Sequence, residues 1–329
     1  MKKINVGIIG CGAIAESYYI PALSNHKDKI DRVYFVDRDL SLANNAKRNF
    51  GSGEVSDDLD KIIDKLDAGV VCLPNTLHYS FSKKLLEAGC HVMGEKPLTL
   101  KPENGRELVE IAEKKKVLLS VNNTRRLFPS YQVVKELIDD GSIGEIKEVY
   151  YYEGGEFSWP TKSGFYFTAA DPKGVLLDRG AHVLDSICHW VGGKPELIKS
   201  QNDSFGGPEA VADVTFKFKD LVGEVRLSWL YKQENVYRII GTKGEITGEI
   251  YDWNKTELKL NNKSSEIRRG KQKVDSFSEF GNILVTNFIE SILGNEELII
   301  KGKDVIDSIE WLEECYNEAK PFETSWYSI

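Results

Sequence analysis

Residues 4–24 read INVGIIGCGAIAESYYIPALS, and how this stretch folds decides the class of the chain. Ile4–Ile9 is an apolar run of strand length, and the residues after Ala15 continue as a helix, so the glycines fall at a strand-to-helix turn. Gly10-x-Gly12-x-x-Ala15 in that setting fits a dinucleotide fingerprint. Gly10 permits the tight turn, Gly12 lets the backbone approach a pyrophosphate, and Ala15 keeps the helix close to the strand. The helix N-terminus favours phosphate charge. Gly10, Gly12, Ala13 and Ile14 are therefore expected to contact the cofactor. Lys2-Lys3, the apolar run and Ala13-Ile14-Ala15 also imitate a signal peptide with its cleavage site. The glycine-loop reading is preferred because it explains the sequence out to Asp37.

The second strand, Val33–Val36, ends at Asp37, near the spacing expected of a ribose-binding carboxylate. A carboxylate there accepts from a ribose 2′-hydroxyl and repels a 2′-phosphate, which favours NAD. Arg38 could pair with that phosphate, so NADP stays open. Strand and helix signals then alternate: helix Leu40–Phe50 closed by Gly51, a short amphipathic helix Leu59–Leu66, strand Gly69–Leu73, helix Ser80–Ala88, strand His91–Gly94, helix Pro102–Lys115 and strand Val117–Val121. This alternation predicts an α/β parallel sheet of the Rossmann type. Pro74-Asn75 and His78 follow a strand at the carboxyl end where ligands bind; Asn75 is expected at the cofactor ribose, and Pro74 and His78 are expected as further cofactor contacts. Glu95-Lys96-Pro97 ends a later strand, where a nicotinamide ring and a substrate would meet.

The character changes after Asn122. Pro129–Ile138 reads as a helix, and then period-two patterns dominate. Val214, Phe216 and Phe218 alternate with polar residues, as do Val225, Leu227 and Trp229, which suits an antiparallel sheet with one buried face. Helices are expected at Ala181–Val191, Phe280–Leu293 and Asp304–Ala319. The expected domains are 1–122, binding the dinucleotide, and 123–329, binding substrate and forming oligomer contacts.

The 329 residues are enough for two domains, and a net charge of −8 disfavours nucleic acid and anionic membrane as partners. No apolar stretch is long enough to span a bilayer. The five cysteines are odd in number and show no metal-ligand spacing, which fits a reducing cytoplasm and no metal site.

Six stretches, GIIGCGAIAESYYIPAL, LPNTLHYSFSKKLLEAGCHVMGEKPL, RRLFPSYQ, GSIGEI, LLDRGAHVLDSICHW and GTKGEI, together resemble the glucose–fructose oxidoreductase / inositol dehydrogenase (Gfo/Idh/MocA) family. The resemblance implies an N-terminal Rossmann domain and a C-terminal α/β domain on a large, mainly antiparallel sheet that often forms the interface of a homodimer or homotetramer. It makes Lys96, Asp178 and His182 the active-site residues, with Asp185 a further acid of the motif. Leu73, where many members have threonine, is a small departure, and segment 153–172 fits no substrate subgroup.

Asp178, His182 and Asp185 share one face of a helix. His182 is suited to be the general base, taking a proton from a substrate hydroxyl as the adjacent carbon gives up hydride. Lys96 is suited to hold the same oxygen, and Asp178 to orient the histidine or bind a neighbouring hydroxyl. Glu95 and Lys96 are also expected beside the cofactor. Asn123, Arg125 and Tyr166 join Lys96, Asp178 and His182 as substrate contacts. The expected activity is hydride transfer between nicotinamide and a secondary alcohol or ketone of a sugar, cyclic polyol or sugar derivative. Two alternatives stay open: an NAD-assisted epimerase, lyase or glycosidase with transient oxidation, and a non-catalytic NAD-binding regulator.

Overall fold

Short apolar runs bounded by turns become the strands of a parallel sheet. The computed structural model describes residues 3–160, 167, 174–204, 207–261 and 263–323. Its first sheet comprises β1 (Ile4–Ile9), β2 (Ile30–Val36), β3 (Glu54–Ser56), β4 (Ala68–Val71), β5 (His91–Glu95) and β6 (Leu119–Asn122). They lie in the order β3-β2-β1-β4-β5-β6, every pair parallel. All four residues of β4 are buried, as a central parallel strand covered on both faces requires. The winding direction reverses between the adjacent strands β1 and β4, so the crevice that binds ligands in open α/β sheets opens there.

The connecting helices are α1 (Ile20–Ser24), α2 (Leu40–Phe50), α3 (Asn75–Glu87) and α4 (Pro102–Lys115). Asp39 caps α2 by accepting from the Ser41 amide at 2.8 Å, and Gly51 ends it at φ 93°. Pro102 opens α4, and Lys114 and Lys115 fill its last turn, where the helix dipole favours cations. Two expectations change. Residues 59–66 form two single 3₁₀ turns, Leu59–Lys61 and Ile63–Lys65, because so short a run does not repay helix nucleation. Helix α3 begins at Asn75, directly after Pro74, and so takes in His78.

The second sheet has nine strands: β7 (Ile146–Gly154), β8 (Glu196–Asn202), β9 (Val211–Phe218), β10 (Leu221–Ser228), β11 (Val236–Gly241), β12 (Gly244–Glu249), β13 (Lys255–Leu260), β14 (Glu266–Arg269) and β15 (Ala319–Pro321). Their order is β14-β13-β12-β11-β7-β10-β9-β8-β15. All neighbours are antiparallel except β7 with β10 and β8 with β15. The period-two reading holds on β9 and β10, where Val214, Phe216, Val225 and Leu227 are buried. Helices α5 (Pro129–Asp139) and α6 (Ala181–Val191) belong to the same unit. The core of that unit gathers Tyr131, Tyr237 and Trp190, with ring centroids 4.9–5.2 Å apart.

The chain divides into two compact units. The first takes residues 3–124 and also residues 275–306, which include α7 (Phe277–Ile292). The second takes residues 125–159, the stretch to Val274, and residues from Asp307 onward, including most of α8 (Ile306–Asn317). Helix α7 is tied to the first unit by name: Gly281 lies against Tyr18, His26 Nε2 is 2.8 Å from Thr286 Oγ1, and Lys29 pairs with Glu290. Among the described residues no helix is long and apolar enough to cross a membrane.

Candidate functional site

In the first unit, three of the stretches singled out by sequence leave the carboxyl ends of β1, β4 and β5, with β4 lying between the other two. After β1, Gly10 turns at φ +93°, and a Cβ there would stand 2.7 Å from the Cys72 carbonyl oxygen. No residue but glycine suits both constraints. At Gly12 a Cβ would meet nothing within 4 Å, which leaves the backbone open to an approaching group. Ala13 and Ile14 are half-buried and begin the helix, which takes a π-helical turn at Ala15–Tyr19 before passing into α1. Cys11 is fully buried, and burial, with Asp37 adding to it, pushes its thiol up to about 12. It is a space-filling thiol rather than a reactive one.

Asp37 follows β2 with both oxygens held: Oδ2 accepts from the Cys11 amide and Oδ1 from the Asp39 amide, each at 2.9 Å. The carboxylate is thereby fixed beside the glycine loop, while Arg38 is exposed. After β4, Pro74 leads into Asn75, which is buried, with its Oδ1 lacking a hydrogen-bond partner. A buried amide oxygen without a partner suits a ligand hydroxyl. The open backbone at Gly12, the fixed Asp37 and the Asn75 oxygen together fit a dinucleotide.

Both ring nitrogens of His78 are engaged within the fold. Its Nδ1 lies 2.8 Å from the Pro97 carbonyl oxygen and its Nε2 2.8 Å from the Leu73 carbonyl oxygen. Burial lowers its pKa, and the two carbonyls oppose that effect. The ring straps the end of β4 to the turn that carries Lys96. On the other side of that turn, Glu95 Oε1 accepts from the Tyr19 hydroxyl at 2.6 Å and from Asn122 Nδ2 at 2.8 Å. The Lys96 amide donates to Glu95 Oε2 at 3.2 Å, and the Lys96 side chain is half-buried. Asn123, also in this unit, is buried, and its amide donates to the Val121 carbonyl at 3.0 Å.

In the second unit, Asp178 and His182 lie on one continuous helical rod, both half-buried. The rod opens with a second π-helical turn, Leu176–Gly180, which holds Asp178, and continues as α6, with His182 in its first turn. Single π turns inside helices recur at functional sites. Asp185, further along the rod, is 1% exposed and forks to Arg126 at 2.7 and 2.8 Å, with Ser308 donating to it at 3.2 Å.

Arg125, expected at the substrate, has its guanidinium engaged elsewhere: it forks onto Glu153 with two bonds of 2.8 Å and donates to the Tyr151 hydroxyl. Glu153 was missed by sequence reading because its partner lies 28 residues away, beyond any local pattern. Tyr166 lies outside the described residues.

Comparison with known proteins adds to this geometry. Residues 4–123 match the family described as "Oxidoreductase family, NAD-binding Rossmann fold", and residues 131–247 match the GFO/IDH/MocA C-terminal domain. A scyllo-inositol 2-dehydrogenase (NADP(+)) of Bacillus subtilis is 32% identical over 58% of this chain and 53% of its own length. A D-glucoside 3-dehydrogenase of Escherichia coli is 31% identical over 58% of this chain and 55% of its own. The chain thus spans about half the length of these two curated relatives. The solved structure of a levoglucosan dehydrogenase, in complex with NADH and levoglucosan, superposes with a TM-score of 0.84 at 19% identity, covering 96% of this chain and 97% of that one. At that identity it speaks for the fold.

Proposed function

This chain belongs to the Gfo/Idh/MocA oxidoreductase family, with its NAD-binding Rossmann fold, and from that premise we propose that it is an NAD-dependent dehydrogenase or ketoreductase acting on a secondary alcohol or ketone of a sugar, cyclic polyol or sugar derivative. The observation that carries this reading is the grouping of the glycine loop, Asn75 and Lys96 at the carboxyl ends of β1, β4 and β5. When bound, the cofactor supplies a nicotinamide that accepts hydride from the alcohol carbon or returns it to the ketone. His182 takes the proton from the hydroxyl oxygen during oxidation and gives it back during reduction, acting as general base and then general acid. Lys96 donates to the same oxygen and stabilises the negative charge that develops there. Asp178 keeps the imidazole in the productive orientation or binds a neighbouring hydroxyl.

Asp37 supports a preference for NAD, since its carboxylate is fixed by two backbone amides and cannot swing away from a 2′-phosphate. A panel of scyllo-inositol, D-glucosides, levoglucosan and nucleotide sugars, run with NAD and with NADP while reduced-cofactor absorbance is followed, tests both parts. Turnover is expected with at least one polyol or sugar, at a lower KM for NAD. A clear NADP preference would overturn the assignment to Asp37, and silence across the panel despite NAD binding would overturn the enzymatic reading.

A further inference from the structure

The rod that carries Asp178 and His182 must start somewhere, and its first amides have no partner within the helix. Two of them are met from outside, both by Glu209. The Val175 amide donates to the Glu209 carbonyl oxygen at 2.9 Å, and the Leu176 amide donates to Glu209 Oε1 at 2.9 Å. The Asp178 amide turns back to the Gly174 carbonyl oxygen at 3.0 Å. The Tyr316 hydroxyl, from α8, donates to the same Glu209 Oε1 at 2.8 Å. Gly174, at φ +140°, passes so close that a Cβ there would stand 2.3 Å from the Glu209 carboxyl. Glu209 is 2% exposed, and it stands just before β9, far in sequence from the residues it holds. Nothing in the sequence around it marks a functional position.

We propose that Glu209 is a positioning residue, whose carboxyl and carbonyl fix the first turn of the helix bearing Asp178 and His182 and so set where those two side chains stand. The proposal rests on the reading of Asp178 and His182 as catalytic. It makes the helix start a joint of three segments: the turn itself, the approach to β9, and α8.

Burial pushes the Glu209 carboxyl up to about 7. Its own backbone, the Tyr316 hydroxyl and the Leu176 amide pull the other way, and Asp203 adds to the rise. The folded chain therefore holds this proton more tightly than the unfolded chain. Stability is full below the ordinary glutamate value and is lost as pH rises towards 7, with the folding equilibrium constant falling on the order of 10²-fold across that window. Glu209→Gln keeps an acceptor oxygen but no titrating charge, so it should flatten that dependence.

The test compares wild type, Glu209→Gln and Glu209→Ala by hydrogen exchange of the amides of residues 175–182, by NMR titration of the His182 ring, by NAD titration, and by kcat on the best substrate of the panel. Glu209→Ala should speed exchange of the Val175 and Leu176 amides about tenfold or more. It should also shift the His182 titration and lower kcat on the order of 10-fold to 10²-fold with NAD affinity unchanged. Glu209→Gln should restore the exchange rates and most of kcat. Wild-type exchange and His182 titration in Glu209→Ala would overturn the proposal. If Glu209→Ala does not fold, a Glu209→Gln protein that keeps the wild-type loss of stability between pH 4.5 and 7 would overturn the role of its carboxyl. Exchange and titration need no substrate, so a silent substrate panel would sink the proposed function without touching this result.

Discussion

Replacing Lys96 with alanine should lower kcat about 10²- to 10³-fold while NAD affinity stays within about twofold, the loss typical of a single preorganised donor to a developing oxyanion. The effect is expected to be large because the turn carrying this lysine is held on two sides. His78 straps the Pro97 carbonyl, and Glu95 is fixed by Tyr19 and Asn122. A donor that is already in place costs little reorganisation when charge develops. Lys96 is half-buried and its backbone bond to Glu95 survives truncation, so the fold should be little affected. The kinetics discriminate: kcat and kcat/KM falling together identify an interaction made in the transition state, whereas a rise in KM alone identifies simple binding. Near-normal turnover by Lys96→Ala with NAD bound would remove Lys96 from the mechanism. Lys96→Arg should not rescue it, since a planar guanidinium does not place a point donor as an ammonium does.

Glu153→Ala should destabilise the chain by about 3–5 kcal/mol, the cost of leaving one member of a buried ion pair without its partner. Arg125 and Glu153 have side-chain exposures of 10% and 2%. The carboxylate takes both forks of the guanidinium and a third bond of 3.1 Å from the Tyr251 hydroxyl. Arginine cannot escape by losing its proton, so the charge would remain stranded among Tyr151 and Tyr131. Urea unfolding of the single variant, and of Glu153→Leu combined with Arg125→Met, would measure this. The apolar pair should recover most of the loss, because the penalty lies in the unmatched charge. A loss below about 1 kcal/mol for Glu153→Ala would mean that water reaches the guanidinium.

The elements that sequence reveals best are those whose signal is local. The glycine loop, the Gly51 helix end, Pro102 at the start of α4 and the alternation on β9 and β10 are each decided by a few neighbouring residues. Features decided by distant partners stayed hidden. Strand β14 has four exposed residues and hence no buried face to leave a period. The parallel pairing of β7 with β10 joins strands far apart in the chain. Arg125 and Arg126 are adjacent, yet one turns to Glu153 and the other to Asp185, a choice that side-chain type alone does not encode. The two π turns also escaped notice, since the extra residue in such a turn changes no composition. Lys96, Asp178 and His182 stood out mainly through family resemblance, because a lone lysine or histidine carries little information by itself.

The return of α7 to the first unit has a consequence for how the chain is made. A nascent polypeptide leaves the ribosome from its N-terminus, and domains commonly fold as they emerge. Here the surface formed by Tyr18, His26 and Lys29 waits for residues 277–292, so the nucleotide-binding half cannot be sealed until strands β7–β14 have been translated as well. In the sequence, most of residues 125–274 belong to the second unit and fall before residues 275–306 of the first, so strands β7–β14 are synthesised while that surface is still uncovered. A product cut short before Phe277 would present that uncovered surface to the quality-control machinery of the cell.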